Sequence, residues 1–166
     1  MDRVKTGDVK PLVEMLRGGL ADAVAARARN PESSDLDKIV FTMAMFAPDR
    51  AKALEAVAHR PQTRADAEPE LYLLRARTAV PLAMVIATPA AIETVRRLVG
   101  DLVPTVDPAY EAVREALLGD CDVLDGVVKK DAAAFARAEK RYRTARELHV
   151  DVRARVTNNL GWLALR

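Results

Sequence analysis

The sequence predicts an all-α protein, and three observations carry that expectation. Apolar residues recur at helical spacing almost throughout the chain. Alanine, leucine, arginine and glutamate crowd a sequence whose aromatics make up only 4%, and these side chains lose little rotamer freedom in a helix. No strand–helix alternation appears, so a parallel sheet is not expected. The 166 residues suit one domain or one short stack of repeats. At 50% hydrophobic and 30% charged, the chain is too apolar for disorder.

The elements follow in order. Val9, Leu12, Val13, Leu16 and Leu20 share one face of a helix that runs to about Arg29, with Gly18-Gly19 as a place to kink or split it. "NPESSD" (Asn30–Asp35) is a turn, and Ser34 with Asp37 resembles a helix N-cap. Leu36, Ile39, Val40, Met43 and Phe46 form the second stripe. Pro48 opens a third helix carrying Leu54, Val57 and Ala58, which ends near Arg60-Pro61. The fourth, about Glu70 to Ile86, is apolar on most sides and therefore central. Pro81 inside it should bend it, and a strand over Ala79–Thr88 is the competing reading.

Thr88-Pro89 and Asp107-Pro108 are both N-cap-plus-proline starts. The fifth helix carries Ile92, Val95, Leu98 and Val99 and closes at Gly100. The sixth carries Tyr110, Val113 and Leu117 and closes at Gly119. A short segment around Asp120–Lys130, a long helix from about Asp131 to His149 and a terminal helix from about Asp151 complete the chain.

Charge is unevenly placed. The chain carries a net +2, yet residues 1–128 hold 16 Lys/Arg against 20 Asp/Glu and residues 129–166 hold 10 against 4. Cys121 is the sole cysteine, which rules out an intrachain disulfide and permits a reducing, cytoplasmic setting. "MDRVKTGDVK" has no apolar core of a signal peptide. The longest uncharged run, Thr78–Ile92, has 15 residues and two prolines, short of the ~20 a membrane span needs, so no membrane association is expected.

Ala138, Tyr142, Ala145 and Leu148 stand at gaps of four, three and three, followed by "NNLGWLAL" (Asn158–Leu165). This stretch of about 40 residues resembles the tetratricopeptide repeat (TPR): a second helix with small-aromatic-small spacing, then the Asn-Leu-Gly start of a next repeat. Gly126 and Gly161 lie 35 residues apart, close to the family period of about 34. In that pattern a small residue at Gly161 lets the facing helix approach closely, while Tyr142 fills the groove between neighbours. The resemblance implies antiparallel helical hairpins stacked as a short TPR-like α-solenoid. The expected organisation is one all-helical domain over 1–166, with irregular helical pairs over 1–119 and a TPR-like repeat plus terminal helix over 120–166. Members of the family that clamp a terminal carboxylate use Lys followed four residues later by Asn. The corresponding places here are Asn158 and Trp162, so that clamp is not implied.

Catalytic and metal-binding patterns are weak. "GDCDVLDG" (Gly119–Gly126) gathers three carboxylates and a thiol, but Leu124 interrupts the alternation a calcium loop needs, and a capped acidic helix start explains it better. Aspartates beside Cys121 disfavour its thiolate. His59 and His149, 90 residues apart, read as surface or capping histidines. No phosphate loop and no nucleophile motif is present, so no cofactor is implied and the chain reads as a non-enzyme. Met43, Met45, Phe46 and Met84 read as core gap-fillers, with a methionine-lined groove as the alternative.

In "RAEKRYRTAR" (Arg137–Arg146), the stripe Phe135, Ala138, Tyr142, Ala145, His149 leaves Arg137, Lys140, Arg141 and Arg143 outward as a basic ridge. On the terminal helix Val152, Val156, Leu160 and Leu163 form one stripe, while Trp162 and Leu165 stand on another. Such a helix needs two neighbours. The second is a missing next helix, the preceding helix with Trp162 tucked back on it, or another protomer or partner.

The residues singled out for partner binding are Arg137, Lys140, Arg141, Asn158, Asn159, Trp162 and Leu165. The expected function is a protein–protein interaction scaffold, an adaptor or sensor domain of a bacterial regulatory protein, holding a protein or peptide partner or a second copy through the terminal helix. The alternative is sequence-independent nucleic-acid binding by the 137–146 ridge. A small-molecule pocket between helices near Pro81 is a third class.

Overall fold

The computed structural model describes residues 10–59, 61–62 and 64–165. They form eight α-helices: α1 (Lys10–Arg29), α2 (Ser34–Ala44), α3 (Arg50–Ala58), α4 (Pro69–Ile86), α5 (Pro89–Gly100), α6 (Pro108–Val128), α7 (Ala132–Leu148) and α8 (Arg153–Ala164), with a 3-10 turn (Val150–Val152) ahead of the last. No strand occurs among the described residues, so the fold class is all-α. No helix among them is long and apolar enough to cross a membrane. Val9 and the side chains of Leu12, Val13 and Leu16 lie outside the described residues, while Leu20, at the end of that stripe, is buried.

Short polar side chains set the helix starts. Ser33 accepts from the Leu36 amide at 3.4 Å, one residue earlier than the expected cap at Ser34. Asp49 accepts from Lys52 at 3.0 Å, Thr88 from Ala91 at 3.3 Å, Asp107 from Ala109 at 2.9 Å and Asp131 from Ala133 at 3.0 Å. Each satisfies an amide that the helix itself leaves without a partner. Pro69, Pro89 and Pro108 occupy first-turn positions, where a missing N–H costs nothing.

Successive helices pack on one another, and α2 with α4, α4 with α6, and α3 with α5 also touch. The central helix is α4, buried on nearly every side from Leu71 to Ala83. It runs as a helix through the stretch read alternatively as a strand. Pro81 and Arg77, whose carbonyl loses its donor, both lie on the exposed side of the helix, which continues unbroken through the proline.

Two arginines close the C-terminus of α3, which has no glycine cap. The buried Arg75 of α4 donates from Nε to the Val57 carbonyl (3.0 Å), from Nη2 to Ala58 (2.7 Å) and from Nη1 to Asp101 (3.0 Å). Arg27 of α1 donates to the Ala56 carbonyl at 3.0 Å and sits 3.5 Å from Asp37 of α2. Guanidinium donors thus replace the missing αL residue and meet the negative end of the helix dipole.

The expected break at Gly119 is not observed. α6 continues unbroken through "GDCDVLDG" to Val128, because its apolar and small residues face two directions at once. One side joins the main core of α1–α5, and the other forms a second cluster with α7 and α8 built on Ala112, Ala116, Val123, Ala138, Tyr142, Ala145, Val152 and Val156. Along the α6–α7 seam the glycines are sockets. A Cβ at Gly119 would stand 2.6 Å from Cε1 of Tyr142, and one at Gly126 would stand 2.5 Å from Cε1 of Phe135. Seven residues separate the two glycines and seven separate the two rings, the repeat on which antiparallel helices keep facing each other.

Val152 in the 3-10 turn and Val156 of α8 are buried, and Leu160 and Leu163 of α8 are partly buried against the second cluster, the stripe their spacing predicts. Trp162 turns back on α7: its ring meets Phe135 edge-on, centroids 6.3 Å apart and planes at 64°. Gly161 is expected to admit a facing helix, yet a Cβ there would meet nothing within 4 Å, so no described helix approaches it.

The seam makes opposed predictions for one substitution. Gly119→Ala and Gly126→Ala should each destabilise by about 1–3 kcal/mol in urea denaturation, because a ring packed on the glycine, buried Tyr142 or half-buried Phe135, must shift. That loss outweighs the ~1 kcal/mol gained in helix propensity. Gly161→Ala should instead stabilise by up to about 1 kcal/mol. A Gly119→Ala protein as stable as the parent would refute the socket.

Candidate partner-binding cleft

The chemistry of α6 starts from where its aspartates point. At 100° per residue Asp122 and Asp125 share a face, and Asp120 lies about 160° from Asp122. All three are buried, at 1%, 3% and 5% exposure for Asp120, Asp122 and Asp125. Buried carboxylates require donors, and the flanking helices supply them.

Asp122 accepts from Arg96 Nη2 of α5 at 3.1 Å, and from Arg137 Nε and Arg141 Nε of α7 at 3.4 and 3.0 Å. Asp125 accepts from the same Arg96 and lies 3.0 Å from Lys129 Nζ. On the other side, Asp120 accepts from the Tyr142 hydroxyl at 2.7 Å, from Asn159 Nδ2 at 3.2 Å and from Arg155. "GDCDVLDG" is therefore no acidic helix start but the buried polar spine of α6.

Burial, opposed by Arg155 and the Tyr142 hydroxyl, lifts the Asp120 carboxyl above its ordinary range. Folded Asp120 holds its proton more tightly than the unfolded chain does, so this group makes folding less favourable as pH climbs from 3.8 through the raised value. Burial first, then the charge and hydrogen bond of Asp120, push the Tyr142 hydroxyl up as well, while the Asn159 amide pulls it down. The Cys121 thiol, buried and next to Asp120 and Asp122, is pushed up to about 12.

The ridge does face outward, with Arg137, Lys140 and Arg143 exposed and Arg141 half-buried, but three of these four cations hold carboxylates. Arg137 and Arg141 turn to Asp122, Arg137 also holds Asp131 at 3.0 Å and Arg141 holds Glu115 at 3.1 Å. Arg143 pairs with Glu139 at 2.6 Å. Helical periodicity placed these residues off the apolar stripe but did not reveal that buried carboxylates on α6 await them. Lys140 is exposed.

Asn158, Asn159 and Trp162 do come together. With Met84 of α4, Val123 of α6 and Tyr142 of α7 they line a cleft of about 230 Å³, one helical turn beyond Pro81. Asn159 lines the cleft and at the same time binds the Asp120 hub. Leu165 lies outside it, 88% exposed.

Met84 is 42% exposed, so it is a wall rather than a core filler. Met45 and Phe46 are likewise exposed, while Met43 is partly buried, its sulfur against Gly19. Sequence reasoning gave a methionine-lined groove at Met84 only as the alternative and missed Val123 as a cleft residue. The available signal for Met84 was the charge-free run Thr78–Ile92, whose surface no ion pair could cover.

Wider grooves lie elsewhere. One of about 830 Å³ runs past Gln62, Arg64, Tyr72 and Asp101, and one of about 540 Å³ runs past Leu20, Val24, Ala56 and His59. None of the residues expected at a partner site borders either. His149 caps the turn before α8, its Nδ1 accepting from the Asp151 amide at 3.3 Å.

Two outcomes follow. Tyr142→Phe strips one donor from a buried carboxylate and should cost roughly 1–3 kcal/mol in denaturant unfolding with the helical circular dichroism unchanged. Cys121 should stay unmodified by a thiol reagent at pH 8 and react fully once urea unfolds the chain. Fast labelling of the native protein would contradict its burial. In comparisons with known proteins, no family model matches the chain, and neither does any curated protein or solved structure.

Proposed function

We propose that this chain is an interaction module, a short TPR-like stack of helical hairpins that takes an uncharged segment of a protein or peptide partner into the cleft between α4, α6, α7 and α8. The observation that carries this reading is the convergence of Asn158, Asn159 and Trp162 with Met84, from helices far apart in sequence, around one apolar hollow. Contacts between alternate helices (α2 with α4, α4 with α6, α3 with α5) are those that stacked hairpins make, which supports the repeat reading.

The chemistry of the rim supports the choice of partner. Charge is absent from Thr78–Ile92 and from Val156–Leu165, the two stretches that supply Met84 and Trp162. An apolar side chain is held there by desolvation, and the asparagine amides match a peptide backbone. The role of adaptor or sensor in a bacterial regulatory protein, working in a reducing cytoplasm, accords with the lone, inert thiol. The nucleic-acid reading loses ground, because three of the four cations on the ridge already hold carboxylates.

Selection of random peptides on the protein tests the proposal. Trp162 is the only tryptophan, so its fluorescence reports the cleft directly. Selected peptides should carry an apolar anchor, shift that emission, bind about ten-fold or more weakly to Met84→Glu, and keep their affinity in high salt. Peptides indifferent to Met84→Glu and Trp162→Ala would refute it. A doubled mass in light scattering that Leu165→Glu reverses would assign the helix to self-association instead.

A further inference from the structure

Helices α2, α3, α5 and α6 pack around α4 and leave one line of it open. From Leu71 to Met84 every residue is buried except Leu74, Arg77, Pro81 and Met84. Their gaps of three, four and three put all four on one stripe of the helix. At about 1.5 Å per residue, that stripe is ~15 Å long from Leu74 to Met84. It joins two hollows. Met84 walls the cleft described above, while Leu74 and Arg77 line another of about 300 Å³ with Leu71, Leu73, Glu70 and Lys38 of α2. Arg77 carries the only charge on the stripe, and the uncharged run Thr78–Ile92 begins after it. Its side chain has no hydrogen bond or ion pair among the described residues, whereas Lys38 holds Asp35 at 3.1 Å.

We propose that the partner segment whose uncharged part enters the Met84 cleft continues along α4 and carries an acidic side chain, Asp or Glu, that pairs with Arg77. This rests on the cleft being the interaction site. A segment lying on the stripe covers Arg77, and a guanidinium covered without an anion loses its water for nothing in return. A carboxylate meets its planar fork with two parallel N–H···O bonds, and a basic side chain is repelled. Glu70, seven residues back in the second hollow, disfavours an acid placed farther out. The pair stays near water, so it selects the partner more than it tightens binding, and the apolar anchor still sets the affinity in salt.

Random peptides displayed on phage, selected in parallel on the intact chain and on Arg77→Glu, test the pairing. Wild-type selection should enrich an apolar anchor with one Asp or Glu at a fixed spacing from it. Arg77→Glu should enrich Lys or Arg at that same spacing with the anchor unchanged. Changing the acid of a selected peptide to its amide should weaken binding to the wild type about three-fold in dilute buffer and leave binding to Arg77→Gln unaltered. The amide comparison on the wild type needs no variant to fold. Anchored peptides without an acid, or the same acid enriched on Arg77→Glu, would overturn the pairing, and the interaction reading would stand if Met84→Glu weakens their binding. Enriched peptides indifferent to Met84→Glu, or no enrichment at all, would overturn both.

Discussion

Tyr142 can reach Asp120 only because residue 119 has no side chain. That vacancy is the constraint on which the C-terminal half of the molecule depends. The ring lies where a Cβ would be, which brings its hydroxyl within 2.7 Å of a carboxylate buried on α6. Asp120 in turn gathers Arg155 and Asn159 from α8. One missing methyl group thus joins three helices, and the wall of the cleft is a by-product of that junction. The second socket, Gly126 under Phe135, sets the other end of the seam and presents the ring that Trp162 meets.

The uneven distribution of charge has the same origin. α6 carries Glu111, Glu115, Asp120, Asp122 and Asp125, whereas α7 and α8 carry most of the excess arginines. Folding sets the two against each other, and Arg137, Arg141 and Arg155 meet carboxylates buried on α6. Such pairs are weak evidence for stability, since desolvation offsets most of the attraction, but they are exacting about register. A slip of α7 along α6 would separate Arg137 and Arg141 from Asp122 and strand a charge in the interior.

Helices α2 to α5 were legible because local signals and tertiary demands agree there. Thr88-Pro89 and Asp107-Pro108 start helices where they predict them, Gly100 ends α5, and the all-round apolar pattern of α4 does mean a central helix. α6 was not legible, because Gly119 looks like a stop when read locally and becomes a socket only when Tyr142, 23 residues later, is placed over it. The end of α4 at Ile86 was legible, but the conformation that makes it was not. Ala87 adopts a left-handed conformation (φ 51°) that glycine usually takes, and no glycine marks the turn. In the cleft, Asn158, Asn159 and Trp162 were singled out through a repeat-like motif, while for the cations of α7 a helical wheel gave the outward direction but not the carboxylates they hold.

The arginine ends of α3 carry a consequence for how the chain comes apart. A nine-residue helix is too short to persist alone in water. Its closing carbonyls are held from α1 by Arg27 and from α4 by Arg75, one element before its neighbour and one after. An array of hairpins joined only face to face can fray from either end, one hairpin at a time. Cross-bracing of this kind forbids that, because α3 loses its terminus as soon as either flank departs. The N-terminal helices are thereby bound into a single cooperative block that opens all at once.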